Sequence, residues 1–443
     1  MYFQPTAHAQ LPLLAGRVAD VLNEFTEWLA QYGETSRDHQ TFFAGEVGQA
    51  AKALYYEHKL LGTAAVAPMI FLEAFVPSAR HFFHRPTRFP IADAHYAMGF
   101  AFFFQVTRDE AHLRRAIHFL EELKKSRSPA FEEYCWGYPY DWVTRNGTIK
   151  SQTPLITSTP YAYEAFLQIE QLADQNPDLG HLISDLCLMD VLQSIARHAF
   201  SDIKDFPVGK NASSCSYTPF DKGGVINAAA YRSFLLTSAS QLFHDEEYWL
   251  TAERNLNFVL DNQNPDGSWF YAVDGVRDFV DHYHTCFVMK ALAKIHALTG
   301  HAATLEALGK GVSYYVSNLF DTDGLPKPFS RAPRLTVYKR ELYDCAECIN
   351  LCLLLRDRFP KLERTLEKVI PHVLETWVKL DGSFRSRKLY LGWDNVPMHR
   401  WGQAQMFRSL AFYLHETRRV DNDKPYDMTA SVHQLPTLNP QPS

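Results

Sequence analysis

The chain has 443 residues, 46% of them hydrophobic and 21% charged, a globular composition that excludes long-range disorder. Its 44 basic and 50 acidic residues leave a formal net charge of −6 with no basic stripe, which argues against nucleic acid as the main partner. Aromatic residues reach 14%, with 22 Tyr and 8 Trp, a surplus suited to stacking on flat apolar faces such as those of sugar rings.

The N-terminal stretch MYFQPTAHAQ has no basic start followed by an apolar core, so no secretory signal is expected. Leu14, Val18, Leu22, Phe25 and Leu29 then make one helix face that ends at Gly33. The longest apolar runs, such as Ala65–Phe71 and Met98–Phe104, fall short of a membrane span. From Ala92 onward two helix types alternate. Ala92–Val106, Tyr161–Ile169, Asn227–Ala239, His284–Leu298, Cys345–Leu355 and Gln403–Leu414 are apolar nearly all round, as helices buried on every side must be. Between them lie one-faced helices, among them Leu305, Leu308, Val312, Tyr315 and Leu319, and later Leu362, Leu366, Val369, Val373 and Trp377. The fully apolar helices start near residues 91, 158, 225, 280, 341 and 397, a repeat of about 60 residues with two helices per unit. Sustained strand alternation is absent. The pattern predicts an all-α protein, an (α/α)6 toroid of six helical hairpins over residues 84–419. Additional helices over 1–83 pack on it, and a loosely ordered tail spans 420–443, all in one structural domain. The seven cysteines read as reduced core residues of a cytoplasmic protein.

Each one-faced helix leads into a polar, aromatic-rich loop and then into an inner helix. A closed ring therefore brings all these loops, and all inner-helix N-termini, to one rim. The loop Glu132–Thr159 carries Tyr138, Tyr140, Asp141 and Trp142, which either stack on and bind a sugar or pack the loop on itself. In Asn264–Ala291, Asp281, His282 and His284 fall at the start of the fourth inner helix, with Asp281 either a helix cap or a proton-transfer partner. The two histidines do not share a helix face, so they are not expected to hold a metal together. Tyr343, Asp344 and Glu347 come next, the two carboxyls one turn apart on one face, where separated pKa values would split them into acid and base. Cys345, Cys348 and Cys352 read as core, with no second CxxC to complete a ligand set. The last loop brings Trp393, Asp394, His399, Arg400 and Trp401 into ten residues, with Arg400 suited to hold a carboxylate. No metal or other cofactor is expected.

The two-helix repeat with its aromatic loops resembles the six-hairpin glycosidase superfamily, which includes glycoside hydrolases, polysaccharide lyases and sugar epimerases. Thr153–Leu167 (TPLITSTPYAYEAFL) and Asp281–Leu292 (DHYHTCFVMKAL) are similar to segments of the helical domain of glucuronyl C5-epimerases. That resemblance implies uronate chemistry and adds Tyr138 and Tyr283 as candidates. HYHTCFVMKAL is also similar to the zinc-histidine segment of protein prenyltransferase β subunits, and QNPDGSW to the QW repeat of terpene cyclases. The Asp-x-Cys and DxDD motifs of those families are missing. The expectation is an enzyme acting on a glycan by hydrolysis, elimination or epimerisation. A non-catalytic glycan-binding scaffold and a prenyltransferase-like toroid remain the alternatives, and the oligomeric state is open. In the catalytic reading Asp344 is the general acid, raised by burial and Glu347. Asp141 or Asp281 is the base, His284, Tyr343 and His399 are further proton-transfer candidates, and Arg400 anchors a substrate carboxylate. Trp142, Trp393 and Trp401 stack, helped by Tyr138, Tyr140 and Asp394.

Overall fold

The computed structural model describes residues 7–421. Its helices are α1 (Ala7–Tyr32), α2 (Thr41–Ala44), α3 (Glu46–Glu57), α4 (Lys59–Phe75), α5 (Pro90–Thr107), α6 (Glu110–Lys125), α7 (Thr159–Gln175), α8 (Gly180–Ile183), α9 (Leu188–Arg197), α10 (Ile226–Phe243), α11 (Glu246–Asp261), α12 (His282–Thr299), α13 (Ala302–Asn318), α14 (Leu342–Leu355), α15 (Lys361–His372) and α16 (Ala404–Asp421). Single π-helical turns extend α9 to Asp202 and α15 to Trp377, and another, His399–Gln403, leads into α16.

Helices α5, α7, α10, α12, α14 and α16 form the inner ring, each packed on the next, and α16 returns to α5 to close it. This is the (α/α)6 toroid, with the inner helices starting close to where the repeat places them, except that α16 begins at Ala404, after a π turn, rather than near 397. Outside stand α6, α9, α11, α13 and α15, each beside the inner helix that precedes it in the chain. The sixth outer place is taken by α1, which packs on α16. Part of the segment 1–83 is thus a member of the ring. Phe25 of α1 is fully buried and stacks on Phe407 of α16 at 5.2 Å.

The direction of the ring is set at its tight turns. Inner helices α5, α10 and α12 each end on a residue in the left-handed region, Arg108, His244 and Gly300, and the next helix begins two residues later. Asp109 and Asp245 cap the following outer helices by accepting hydrogen bonds from the backbone N–H of Ala111 and of Glu247. Short turns at one rim leave the long loops at the other. There, small antiparallel ribbons tie neighbouring loops together: Val280–Asp281 pairs with Phe329–Arg331, and Tyr338–Glu341 with Arg387–Leu389.

The inner helices differ from their all-apolar appearance in one respect. Their axis-facing sides carry charge: Lys290 pairs with Glu347, Lys294 with Glu164, and Arg408 meets His95. Six helices around an axis leave a column that close-packed aliphatic chains do not fill, and long paired polar chains fill it instead.

Between α1 and α5 the chain crosses the rim that carries the long loops. Ser36 forms an isolated bridge to Thr87, and between them α2 and α3 lie over the loop ribbon Trp142–Thr144, with α4 packed on α3. Gly62 permits close approach of α4 to α3, since a Cβ there would stand 2.1 Å from the Tyr55 Cα. The strap is pinned by a buried ion cluster: Arg80 bonds Glu73 at 2.7 Å and Asp394 at 2.6 Å, and Arg387 joins both carboxylates. Residues 422–443, nearly all of the tail, lie outside the described residues.

Candidate active site

Aromatic rings from successive loops meet in a circle at the mouth. Trp142 lies 6.4 Å from Tyr217 and 5.5 Å from Tyr138. The Arg400 guanidinium stacks over Tyr138 at 4.4 Å and over Trp401 at 4.8 Å. Trp401 meets Tyr343 at 5.1 Å and Tyr283 at 6.0 Å, and Tyr283 leads to His284 at 4.5 Å and on to Tyr271, 4.6 Å from His284. Tyr138, Trp142, Tyr217, Tyr271, Tyr283, His284 and Trp401 are each only partly buried.

Two acid–base features adjoin these rings. Asp281 caps α12, accepting from the backbone N–H of His284 at 2.9 Å through Oδ1, while its Oδ2 bonds His284 Nδ1 at 2.6 Å. The cap and the proton-transfer readings of Asp281 are therefore compatible. This pairing fixes the imidazole and leaves Nε2 without a protein partner among the described residues. Opposite in character is Asp344, fully buried, with neither carboxyl oxygen hydrogen-bonded. Burial first, and then the neighbouring Glu341 and Asp281, push its carboxyl well above the usual range. Glu341 is itself raised by burial to about 7, despite the opposing charge of Arg387. One oriented base thus stands near two carboxyls that burial makes harder to ionise than usual.

Other expected site residues do different work. Glu347 is tied to Lys290 one turn deeper, and Glu341 leads the carboxylates that raise Asp344. Asp141 closes its own loop, bonding Lys150 and the Ser151 N–H at 2.8 Å each, and the Lys150 bond first of all lowers its carboxyl pKa. His399 is buried against α1, with Nδ1 bonded to the Tyr96 hydroxyl at 2.5 Å and Nε2 to the Gly33 carbonyl; burial lowers it to about 4, so it is neutral. Asp394 belongs to the ion cluster with Arg80 and Arg387. Trp393 packs edge-on against Trp377 at 5.0 Å, with Lys388 over its face. Tyr140 is buried beside Arg400 and stacks on Tyr138. Arg400 faces the circle but is already paired, its Nη2 2.7 Å from Asp38 of the strap, while Nε and Nη1 have no hydrogen-bond partner.

Three residues went unnoticed in the sequence: Tyr217, Tyr271 and Glu341. All lie in loops leading to inner helices, and the loop rule that singled out Tyr138 applies equally to them. Asp38 had no such signal, since only the folded strap carries it to the mouth. Among the described residues no group of three or more His, Cys, Asp or Glu side chains is arranged to hold a metal ion. All seven cysteines are unpaired, and all but Cys187 are buried.

No family model matches the sequence, and no curated protein does either. Solved structures do match the fold. The cellobiose 2-epimerase of Bacillus thermoamylovorans superposes with a TM-score of 0.57 at 11% identity, over 75% of this chain and 88% of that one. A possible member of the GH105 family from Salmonella enterica covers 93% of this chain and 96% of its own, at 13% identity and a TM-score of 0.54. The GH76A α-1,6-mannanase of a Salegentibacter species matches at 14% identity and a TM-score of 0.51, over 76% and 90% of the two chains. The fold of this chain is that of the six-hairpin, (α/α)6 glycosidase-like proteins.

Proposed function

We propose that the toroid is a carbohydrate-active enzyme that moves protons at a sugar held inside the aromatic circle. The observation that carries this reading is the oriented Asp281–His284 pair beside Asp344 and Glu341, whose carboxyls are raised above the usual range, within walls of Tyr and Trp. A glycan-binding scaffold needs the rings but not the titrating groups. In the proposed chemistry His284 Nε2 accepts a proton, Asp281 steadies the imidazolium that forms, and Asp344 or Glu341 donates to the departing or rearranging oxygen. The tyrosine and tryptophan faces hold the ring. Fold resemblance to an epimerase, hydrolases and a lyase agrees with a glycan substrate.

Two finer readings belong to the same proposal. A carboxylate-bearing sugar, a uronate, would take Arg400 as its anchor by displacing Asp38. A reducing cellular compartment, the cytoplasm, suits seven unpaired cysteines.

The test is turnover of a panel of neutral and uronate-containing oligosaccharides in deuterated water. Deuterium entering a sugar carbon indicates epimerisation, an unsaturated product indicates elimination, and new reducing ends without either indicate hydrolysis. Saturable binding with no turnover across the panel would leave the scaffold reading standing and remove the enzymatic one.

A further inference from the structure

Helix α4 is apolar on almost every side and yet uncovered. Of its 17 residues, KLLGTAAVAPMIFLEAF, only Gly62 and Glu73 are buried. It packs on α3 and on the 3-10 turn Pro77–Phe82 that follows it. Leu60, Leu61, Phe71 and Phe75 stand out from it, and Phe82, 90% exposed, and Phe83 continue the surface. A helix apolar all round is normally enclosed, and an apolar patch of this extent marks an interaction site.

The patch continues onto the toroid rim. Arg334 lies close enough to Tyr56 and Lys52 of α3 for its charge to act on both. Next to it Leu335 is 97% exposed, and Thr336 reaches the Tyr390 hydroxyl at 3.5 Å, which brings in exposed Tyr390 and Leu391. The charges around these apolar tips have one prevailing sign. Lys59 opens α4, Arg85 follows Phe83 by two residues, Arg334 precedes Leu335, and Lys339 lies 5.9 Å from the Tyr390 ring, against the exposed carboxylates Glu46 and Glu57. In a chain of net charge −6 this is a local reversal of sign.

We infer that this face of α4 and the adjoining rim dock the protein on the surface of an anionic lipid bilayer. The apolar tips lie on the side of α4 turned away from α3, and an isologous second copy would set the basic residues beside them against their own kind, which a lipid surface does not. Basic residues beside the tips fit anionic headgroups. No single helix among the described residues is long and apolar enough to cross a membrane, so the contact is interfacial. Because the strap lies over the mouth, the mouth would face the bilayer.

The experiment is co-sedimentation of the full chain with vesicles of phosphatidylcholine alone and with a third phosphatidylglycerol, at low and high salt, alongside light scattering without lipid. The expected result is binding to the anionic vesicles, weakened by salt. Phe71→Asp with Phe75→Asp should weaken it at least tenfold, whereas Leu250→Asp on outer helix α11 should leave it unchanged. Should the double variant fold poorly by circular dichroism, Lys59→Glu with Arg334→Glu probes the same surface without touching its apolar tips. Failure of the wild-type chain to sediment with anionic vesicles would overturn the inference. So would a wild-type dimer that the aspartate variants convert to monomer, which would assign the face to a second copy. Neither readout involves sugar turnover, so the proposed reaction stands or falls separately.

Discussion

Two clusters of charge occupy the same rim and teach opposite lessons. In one, Glu73, Asp394, Arg80 and Arg387 are buried together, two carboxylates against two guanidiniums, with short bonds between them. Burial opposes charge there, yet Arg80 and Arg387 hold Asp394 below the usual carboxylate range. In the other, Asp281, Glu341 and Asp344 share one neighbourhood in which the nearest guanidinium, Arg387, is already bonded to Glu73 and Asp394, and both Glu341 and Asp344 are pushed upward instead. A satisfied cluster fixes geometry, here the landing of the strap. An unsatisfied one stores the capacity to give up or accept a proton. Density of charged residues in the sequence does not separate the two; pairing does.

The contrast is open to experiment at several strengths. Asp394→Asn leaves Arg80 and Arg387 with Glu73 alone, and should cost about 3–5 kcal/mol of stability, read by urea denaturation. An unchanged midpoint would mean that the cluster adds nothing to the fold. Glu341 should show itself through pH. Its folded value, about 7, lies above the ordinary 4.5, so the folded state holds the proton more firmly. Its contribution to stability is full below pH ~4.5 and is lost as pH rises through ~7, on the order of 3 kcal/mol in all. Glu341→Gln should flatten that slope, and a profile identical to wild type would remove the raised carboxyl from the account.

Asp281→Asn tests the oriented base. Asparagine caps a helix as well as aspartate does, so the midpoint of unfolding should hardly move, while turnover on a confirmed substrate should fall about a hundredfold. Equal loss of both would return Asp281 to a purely structural role. The smallest effect belongs to Asp141→Ala. Its bond to Lys150 is an exposed pair worth at most about 1 kcal/mol, and turnover should stay within twofold of wild type. Loss of activity in that variant would restore Asp141 as a candidate base.

The ring was legible in the sequence because burial on all sides writes an all-apolar pattern that few other environments produce. The repeat placed inner helices near 158, 225 and 341, and they begin at Thr159, Ile226 and Leu342. Helix α1 was legible as a helix but not as a member of the ring, since a one-faced pattern is the same whichever neighbour covers it. The site was legible as a rim, through Tyr138, Asp281, His284, Asp344, Arg400 and Trp401. It was not legible as roles. Arg80 and Asp394 stand 314 positions apart, so nothing local to Asp394 announces that it is already neutralised. Asp141 and His399 have the composition of site residues and the hydrogen bonds of structural ones.

The packing of α1 on α16 has a consequence for how the chain comes to be folded. Helix α1 emerges from the ribosome before every other helix of the ring, and its partner α16 after all of them. Until then α1 carries Leu22 and Phe25, fully buried in the finished ring, with no native surface to cover them. The ring itself remains an open arc until α16 reaches α5. Local hairpins such as α10–α11 can form early, but closure must wait for contacts of the longest sequence separation in the molecule, which makes it the slow event. Removing α1 from the front of the chain and appending it after the tail would turn that distant closure into one more local hairpin. Such a permuted chain should refold faster and aggregate less during synthesis.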